Sequence, residues 1–364
     1  MTRRLGLLIN PIAGMGGRVG LHGTDGDALA AARTRGAEPV AARRAHRTVA
    51  RLRLDGVEVL TAAGPMGGKL LRGLGIEHRT VHTPADPTGP RDTRQATRAL
   101  ADLPVDLLLV AGGDGTIRDV AAALEGRDVT VLGIPTGVKM HSAAFATTPE
   151  AAADAASRFL ADPAGTGRRD ADVVDLAEDG PRLYASLRVP AVAGAMQAAK
   201  SRPGPDDGAA LVELGREIAA EMRPGHLYLL GPGSTVAHVS AALGIRHSLL
   251  GVDAVLDGRL IGADLDERAI LDLLDRHPRR GLVLGVVGGQ GFLLGRGNQQ
   301  LSPAVVTAIG AEHVVVLAAP AKIAALRPPV LRVDAGDDTA VSPLLGHHRV
   351  RTGRGHSTVL RIMA

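Results

Sequence analysis

Residues 105–118 read Val-Asp-Leu-Leu-Leu-Val-Ala-Gly-Gly-Asp-Gly-Thr-Ile-Arg, and no other stretch constrains the fold as strongly. An apolar run closed by glycines predicts a strand buried on both faces. Downstream, Ile117, Val120, Ala121 and Leu124 recur at helical spacing. Gly112, Gly113 and Gly115 therefore fall in a strand-to-helix turn, together with Asp114 and Thr116. In a parallel α/β sheet ligands bind at the carboxyl ends of the strands, and bare backbone at a helix N-terminus suits phosphate oxygens. Asp114 would then face the ligand. Asp-Gly is also an ordinary turn dipeptide, but three glycines around one acid exceed what a turn needs.

The same strand-then-glycine order recurs along the first half. Arg4–Asn10 predicts a first strand, followed by Pro11, Gly14, Gly16 and Gly17, a phosphate-cradle order. That loop carries neither the G-x-G-x-x-G fingerprint nor a G-K-[ST] ending. Asn10 serves equally as a ligand contact or as a turn-initiating residue before proline. Val57–Ala62 predicts a second strand, ending at Thr61 and running into Gly64. Glu77–His82 and Val129–Ile134 predict further strands, and Arg91–Leu103 a helix. The last of these strands leads into Gly137, Lys139 and Ser142. Residues 25–54 are expected to be helical, with Arg43, Arg44, Arg47, Arg51 and Arg53 on a solvated face. This alternation predicts an α/β fold, a doubly wound, mainly parallel sheet of four or five strands.

After a helix at 149–160 the pattern changes. Residues 172–176 and 183–189 alternate as an antiparallel hairpin does, which places a domain boundary near 165. The expected divisions are 1–164, a β-rich α+β domain at 165–340, and a C-terminal strand segment at 341–364 that packs back on the first domain. In the second half, a strand at 226–230 ends in Gly233, Ser234 and Thr235 ahead of a helix. Those hydroxyls and N–H groups serve equally as an anion site or as an ordinary helix cap. A strand at 282–287 leads into a glycine run carrying Gln290, Arg296, Asn298 and Gln299, donors suited to phosphate, ribose or base edges. The alternative is a solvated loop. His347 and His348 are adjacent, so on a strand they point to opposite faces and make a poor metal pair.

Composition narrows the chemistry. The 364 residues contain no cysteine, so disulfides, thiolate metal sites and cysteine nucleophiles are excluded. With no Trp, two Tyr and three Phe, the chain offers few platforms on which bases could stack. A basic balance, +4 with a pI near 9.9, favours small anions mildly. Forty-seven glycines stand well above the usual ~7% and cluster in loops, as backbone that approaches a ligand does. No apolar segment approaches the roughly 20 residues that span a bilayer. The short apolar run after Arg3 and Arg4 predicts a strand rather than a signal segment. The expectation is a cytoplasmic protein with no nucleic-acid or membrane partner.

Three of these stretches taken together, Asn10-Pro11 with its glycine loop, Gly112–Thr116, and Gly233–Thr235, resemble the ATP-NAD kinase family. Residues 133–142 and 295–303 are similar to its divergent AcoX-like branch. The resemblance implies Mg²⁺-dependent phosphoryl transfer from ATP or inorganic polyphosphate to the adenosine-ribose 2′-hydroxyl of NAD, in a homo-oligomer. It implies Asp114 as the base, and donor-phosphate contacts from Asn10, Gly14, Gly16, Gly17, Thr61, Gly64, Gly112, Gly113, Gly115 and Thr116. NAD contacts are expected from Gly137, Lys139, Ser142, Gly233, Ser234, Thr235, Gln290, Arg296, Asn298 and Gln299. The better-known NAD kinases carry an Asn-Glu pair that this chain lacks. Alternatives are a kinase of the same superfamily with a polyol or lipid acceptor, and a non-catalytic nucleotide-binding protein.

Overall fold

The computed structural model describes residues 2–17, 19–21, 27–136, 140–177, 180–196, 207–287, 291–326, 328–335 and 341–364. The chain divides into two compact units, Met1–Met15 with Glu38–Ala199, and Gly16–Ala37 with Lys200–Ala364.

In chain order the elements begin with β1 (Arg3–Ile9), α1 (Asp27–Thr34, part of the second unit), α2 (Ala41–Val49), β2 (Val57–Ala62) and α3 (Gly68–Gly73). They continue with β3 (Arg79–His82), α4 (Pro90–Ala101), β4 (Leu107–Gly112), α5 (Asp114–Ala123) and β5 (Val131–Pro135). Next come α6 (Pro149–Ala161), α7 (Pro163–Thr166) and a hairpin of β6 (Arg168–Ala177) and β7 (Gly180–Pro190). Among the described residues the first five strands form one all-parallel sheet in the order β3-β2-β1-β4-β5. Helix α2 packs with α6, and α4 with α5, the two helical layers of a doubly wound sheet. Covered on both faces, Leu107–Ala111 of β4 are wholly buried, which is why they read as an unbroken apolar run. The winding reverses between β1 and β4. Loops leaving the carboxyl ends of these two neighbours diverge, and such a crevice is where doubly wound sheets bind ligands.

A glycine in β5 fixes the segment that completes this crevice. A Cβ on Gly133 would overlap the ring of Phe145, which is wholly buried. Without that side chain the 143–146 backbone lies along β5, with Gly133 N–H donating to Ala144 O at 2.9 Å and Ala146 N–H to Gly133 O at 2.9 Å. Residues 141 and 142 are thereby carried to the head of α5.

The second unit continues with α8 (Asp207–Glu221), β8 (Leu227–Leu230), α9 (Ser234–Ala242), β9 (Asp253–Leu256), β10 (Arg259–Gly262) and α10 (Glu267–Arg276). It closes with β11 (Arg280–Gly285), β12 (Phe292–Leu294), α11 (Pro303–Ile309), β13 (Val314–Leu317), α12 (Pro320–Ala325), β14 (Val330–Val333), β15 (Gly346–Gly353) and β16 (His356–Met363). Among the described residues its sheet has nine strands in the order β10-β9-β8-β11-β13-β15-β16-β14-β12, parallel and antiparallel mixed. The expected pairing of a doubly wound domain with a β-rich α+β domain is what the structure has.

Three local expectations differ from the structure. The helix expected over 25–54 is two helices, separated at Gly36, which adopts φ +75°, and at Pro39. Its arginines are not all solvated: Arg44 is buried and donates to Pro135 O at 3.2 Å, and Arg47 pairs with Glu150 at 2.8 Å. Arg43, Arg51 and Arg53 are exposed as expected. The β6–β7 hairpin belongs to the first unit, because Val173 and Val189 enter its core and Ala143 N–H donates to Asp172 O at 2.9 Å. A change in strand pattern at 165 therefore marks a change of strand type within one unit. The C-terminal segment pairs inside the second unit's sheet, β15 with β13 and β16 with β14. There His347 is exposed and His348 half-buried.

Candidate active site

The head of α5 is built from backbone. Gly113 precedes the helix in an extended conformation, and no side chain caps its first turn. The leading N–H groups of α5 have no intrahelical partners and carry the positive end of the helix dipole. A Cβ on Gly112 would come within 2.5 Å of the Thr116 side chain, so the turn closes only with glycine there. Thr116 is buried, and its Oγ1 accepts a 2.9 Å hydrogen bond from Asn10 Nδ2. Asn10 Oδ1 in turn accepts from Ile12 N–H at 3.2 Å, and Asn10 N–H donates to Ala111 O at 2.9 Å. Asn10 is thus a turn residue and also the tie across the switch point, joining the loop after β1 to α5. Asn10→Ala is expected to cost about 1 kcal/mol of stability, measured by denaturant unfolding.

Asp114 opens α5 and is 6% exposed. Its carboxylate accepts from His141 N–H at 2.6 Å and from Ser142 N–H at 3.0 Å. Burial raises its pKa from 3.8 to about 6, with the nearby Asp175 charge adding to the rise. The Ser142 side chain and the two backbone donors pull the other way without cancelling the burial. The result is a carboxylate that is ionised at neutral pH yet close to its own titration, as a general base requires. Ser142 is itself fixed: its hydroxyl donates to Val174 O at 2.9 Å and accepts from Val174 N–H at 3.1 Å.

The remaining residues expected at donor phosphates separate. Gly14 lies in the first unit at φ +80°, where a Cβ would strike the backbone oxygen of Thr136. Gly16 and Gly17 belong to the second unit, where Leu21 N–H donates to Gly16 O at 2.9 Å. Thr61 is buried, and its hydroxyl donates to Leu7 O at 2.8 Å, a brace between β2 and β1. Gly64 starts a short 3₁₀ turn at φ +60° with open space beside it. Gly137, Lys139 and Gln290 lie outside the described residues.

On the second unit, Gly233 precedes α9 at φ +113° and no side chain caps that helix; Ser234 is exposed and Thr235 buried. Neither hydroxyl acts as the ordinary cap. The 291–300 loop is buried rather than solvated. Asn298 is 1% exposed, accepts from Gly295 N–H at 2.9 Å and donates to Leu293 O at 2.9 Å. Arg296 pairs with Asp334 at 3.5 Å and lies over the Phe292 ring, 4.9 Å from its centre. Gln299 is half-buried. Asn298→Ala would leave a buried N–H and a buried C=O unpaired, and is expected to lower unfolding stability by about 2–3 kcal/mol.

Models of two domains match the chain: the ATP-NAD kinase N-terminal domain over residues 5–164 and the ATP-NAD kinase C-terminal domain over residues 224–362. The chain belongs to the ATP-NAD kinase family. No curated protein and no solved structure gives a significant match. For an ATP-NAD kinase family member, NAD-kinase-like phosphotransfer is the activity class, and the head of α5 lies within the matched N-terminal domain. Among the described residues no three His, Asp or Glu side chains converge on a metal position, and no helix is long and apolar enough to cross a membrane.

Residues that motif reading missed also gather here. Arg118, one turn along α5 from Asp114, pairs with Asp175 of β6 at 2.8 Å, and Asp175 Oδ2 lies 3.8 Å from where a Cβ on Gly115 would sit. Nothing local in the sequence ties Asp175 to the glycine turn; only the hairpin's docking does.

Proposed function

We propose that this chain is an NAD kinase, transferring a phosphoryl group from ATP or inorganic polyphosphate to the 2′-hydroxyl of the adenosine ribose of NAD. One observation carries the assignment: a buried carboxylate with a pKa raised to about 6 sits beside uncapped helix N–H groups at the sheet's switch point. Phosphoryl transfer needs little covalent chemistry from protein; it needs a positioned acceptor oxygen and fixed positive dipoles around the phosphates. Backbone N–H groups of the Gly112–Thr116 turn would hold the donor's phosphates. The 2′-oxygen forms its bond to the terminal phosphorus as the bridging P–O bond breaks. The hydroxyl proton passes to the Asp114 carboxylate, and ADP or the shortened polyphosphate leaves. Magnesium enters with the donor as part of the substrate, since Mg²⁺ commonly binds through phosphate oxygens and water rather than a protein cage.

His141 and Ser142 N–H groups aim the carboxylate, and the Asn10–Thr116 tie sets the donor loop against α5. A second reading, with a different polyol as acceptor, is favoured by the missing Asn-Glu pair. Transfer of label from γ-³²P-ATP, or from labelled polyphosphate, to a panel of NAD, NADH, diacylglycerol and simple polyols separates the two. NAD kinase activity predicts label in NADP. Label confined to a lipid or polyol would transfer the assignment to that acceptor.

A further inference from the structure

An ion pair lies beside the base, at the junction of α5 and β6. Asp175 is on β6 and Arg118 on α5, joined at 2.8 Å, with the carboxylate 20% and the guanidinium 40% exposed. The Asp175 charge acts on Asp114, and the β6 backbone that carries it is bonded on both sides of Val174 to the Ser142 hydroxyl, whose own N–H holds Asp114. One strand therefore carries both a like charge toward the base and the residue that aims it. We propose that Asp175, clamped by Arg118, is a positioning residue for Asp114: it fixes the β6 segment that aims the base and sets a second carboxylate, partly neutralised by Arg118, beside it.

The inference rests on Asp114 being the base, and the physics behind it is the balance of three charges. With Arg118 in place the Asp175 charge is partly neutralised, so Asp114 feels a weakened repulsion. Remove the negative charge and the arginine remains, favouring ionised Asp114. Remove the arginine and the full repulsion returns. Other charged groups among the described residues pack around this pair. From β7, the Tyr184 ring lies 5.4 Å from the Arg118 guanidinium carbon and 5.7 Å from that of Arg182, two cations around one ring. On α5, Asp119 is turned to Arg94 of α4 at 3.0 Å. The loop over the carboxylate presents the His141 backbone N–H to it and carries the half-buried His141 imidazole, the titratable side chain nearest in sequence to that contact.

The test reads Asp114 directly. The Ser142 amide donates to its carboxylate but also neighbours the His141 imidazole, so the titration from pH 4 to 8 is read at the Asp114 carboxyl carbon in ¹³C-labelled full-length protein. The wild-type midpoint is expected near 6. Asp175→Asn should lower it and Arg118→Gln should raise it, each by roughly half to one pH unit. Opposite displacements from two changes that each remove one charge of the pair cannot come from a general loosening, and if one variant does not fold the other still decides by its direction. Both midpoints unmoved, or both displaced the same way, overturns the proposal. Opposed midpoints in a protein that phosphorylates no acceptor would uphold the coupling while removing the base assignment; an active enzyme with unmoved midpoints would do the reverse.

Discussion

Asp114→Asn is expected to lower kcat by roughly 10²–10⁴-fold, the usual contribution of a positioned general base, while donor affinity stays within about threefold. The asymmetry follows from the proposed roles: with the donor's phosphates held by backbone and the acceptor's proton taken by the Asp114 carboxylate, removing the charge touches only the second. Wild-type kcat/KM should rise with pH through about 6 and then level, because Asp114 must be ionised to act. The same group leaves a mark on stability. Its folded pKa lies above the 3.8 of the unfolded chain, so the native state holds a proton that the unfolded state has released between those values. Ionising it in place costs stability as pH rises from about 4 to about 6, by roughly 2–3 kcal/mol across that window. Other carboxylates oppose this trend, so the measurement is the difference between wild type and variant. Denaturant unfolding at pH 4 and at pH 7.5 should show Asp114→Asn gaining on wild type at the higher pH. The Asn amide can satisfy only one of the two N–H donors, which lowers both points together and leaves the difference intact.

Gly14→Ala is expected to destabilise the first unit by about 3–5 kcal/mol, a drop in Tm on the order of 10 °C. Two costs combine. At φ +80° a Cβ raises the backbone energy by about 1–2 kcal/mol. That Cβ would also overlap the Thr136 carbonyl oxygen, which cannot rotate away because Thr136 continues β5 and its N–H is bonded to Gly112 O at 3.2 Å. The loop must instead lift off the sheet's carboxyl edge, taking the Asn10–Thr116 tie with it, and donor affinity should fall at least about tenfold. Gly64→Ala is the control: φ is +60° there but nothing lies within 4 Å, so only the backbone term of about 1–2 kcal/mol applies. Equal effects of the two substitutions would contradict the close-approach argument.

Much of the first unit was legible because its signals are local. A strand buried on both faces is an unbroken apolar run, and a strand-to-helix turn that admits no Cβ is a cluster of glycines; Leu107–Thr116 shows both. The second unit was less legible. β9, β10, β12, β13 and β14 span only three or four residues each, too short for alternation to separate them from loops. Asp114 stood out by its spacing, but its partners did not. The Ser142 N–H reaches it because Phe145 fills the space left by Gly133, and Asp175 because a hairpin docks on α5; neither contact leaves a periodic trace. Asn298 shows a role that its sequence context did not announce. An amide in a glycine run resembles a ligand donor, yet both ends of this one are bonded to its own loop, since a buried turn must satisfy its backbone before it can offer groups outward.

Phosphoryl transfer is expected at one oxygen of one acceptor, and ³¹P NMR of the product resolves which oxygen carries the phosphate. After incubation of the purified chain with NAD, Mg²⁺ and ATP or polyphosphate, one new phosphomonoester resonance is expected, coupled to the 2′ proton of the adenosine ribose and absent with Asp114→Asn. A phosphate on another hydroxyl of NAD, or unmodified NAD beside a protein that binds the nucleotide normally, would contradict it.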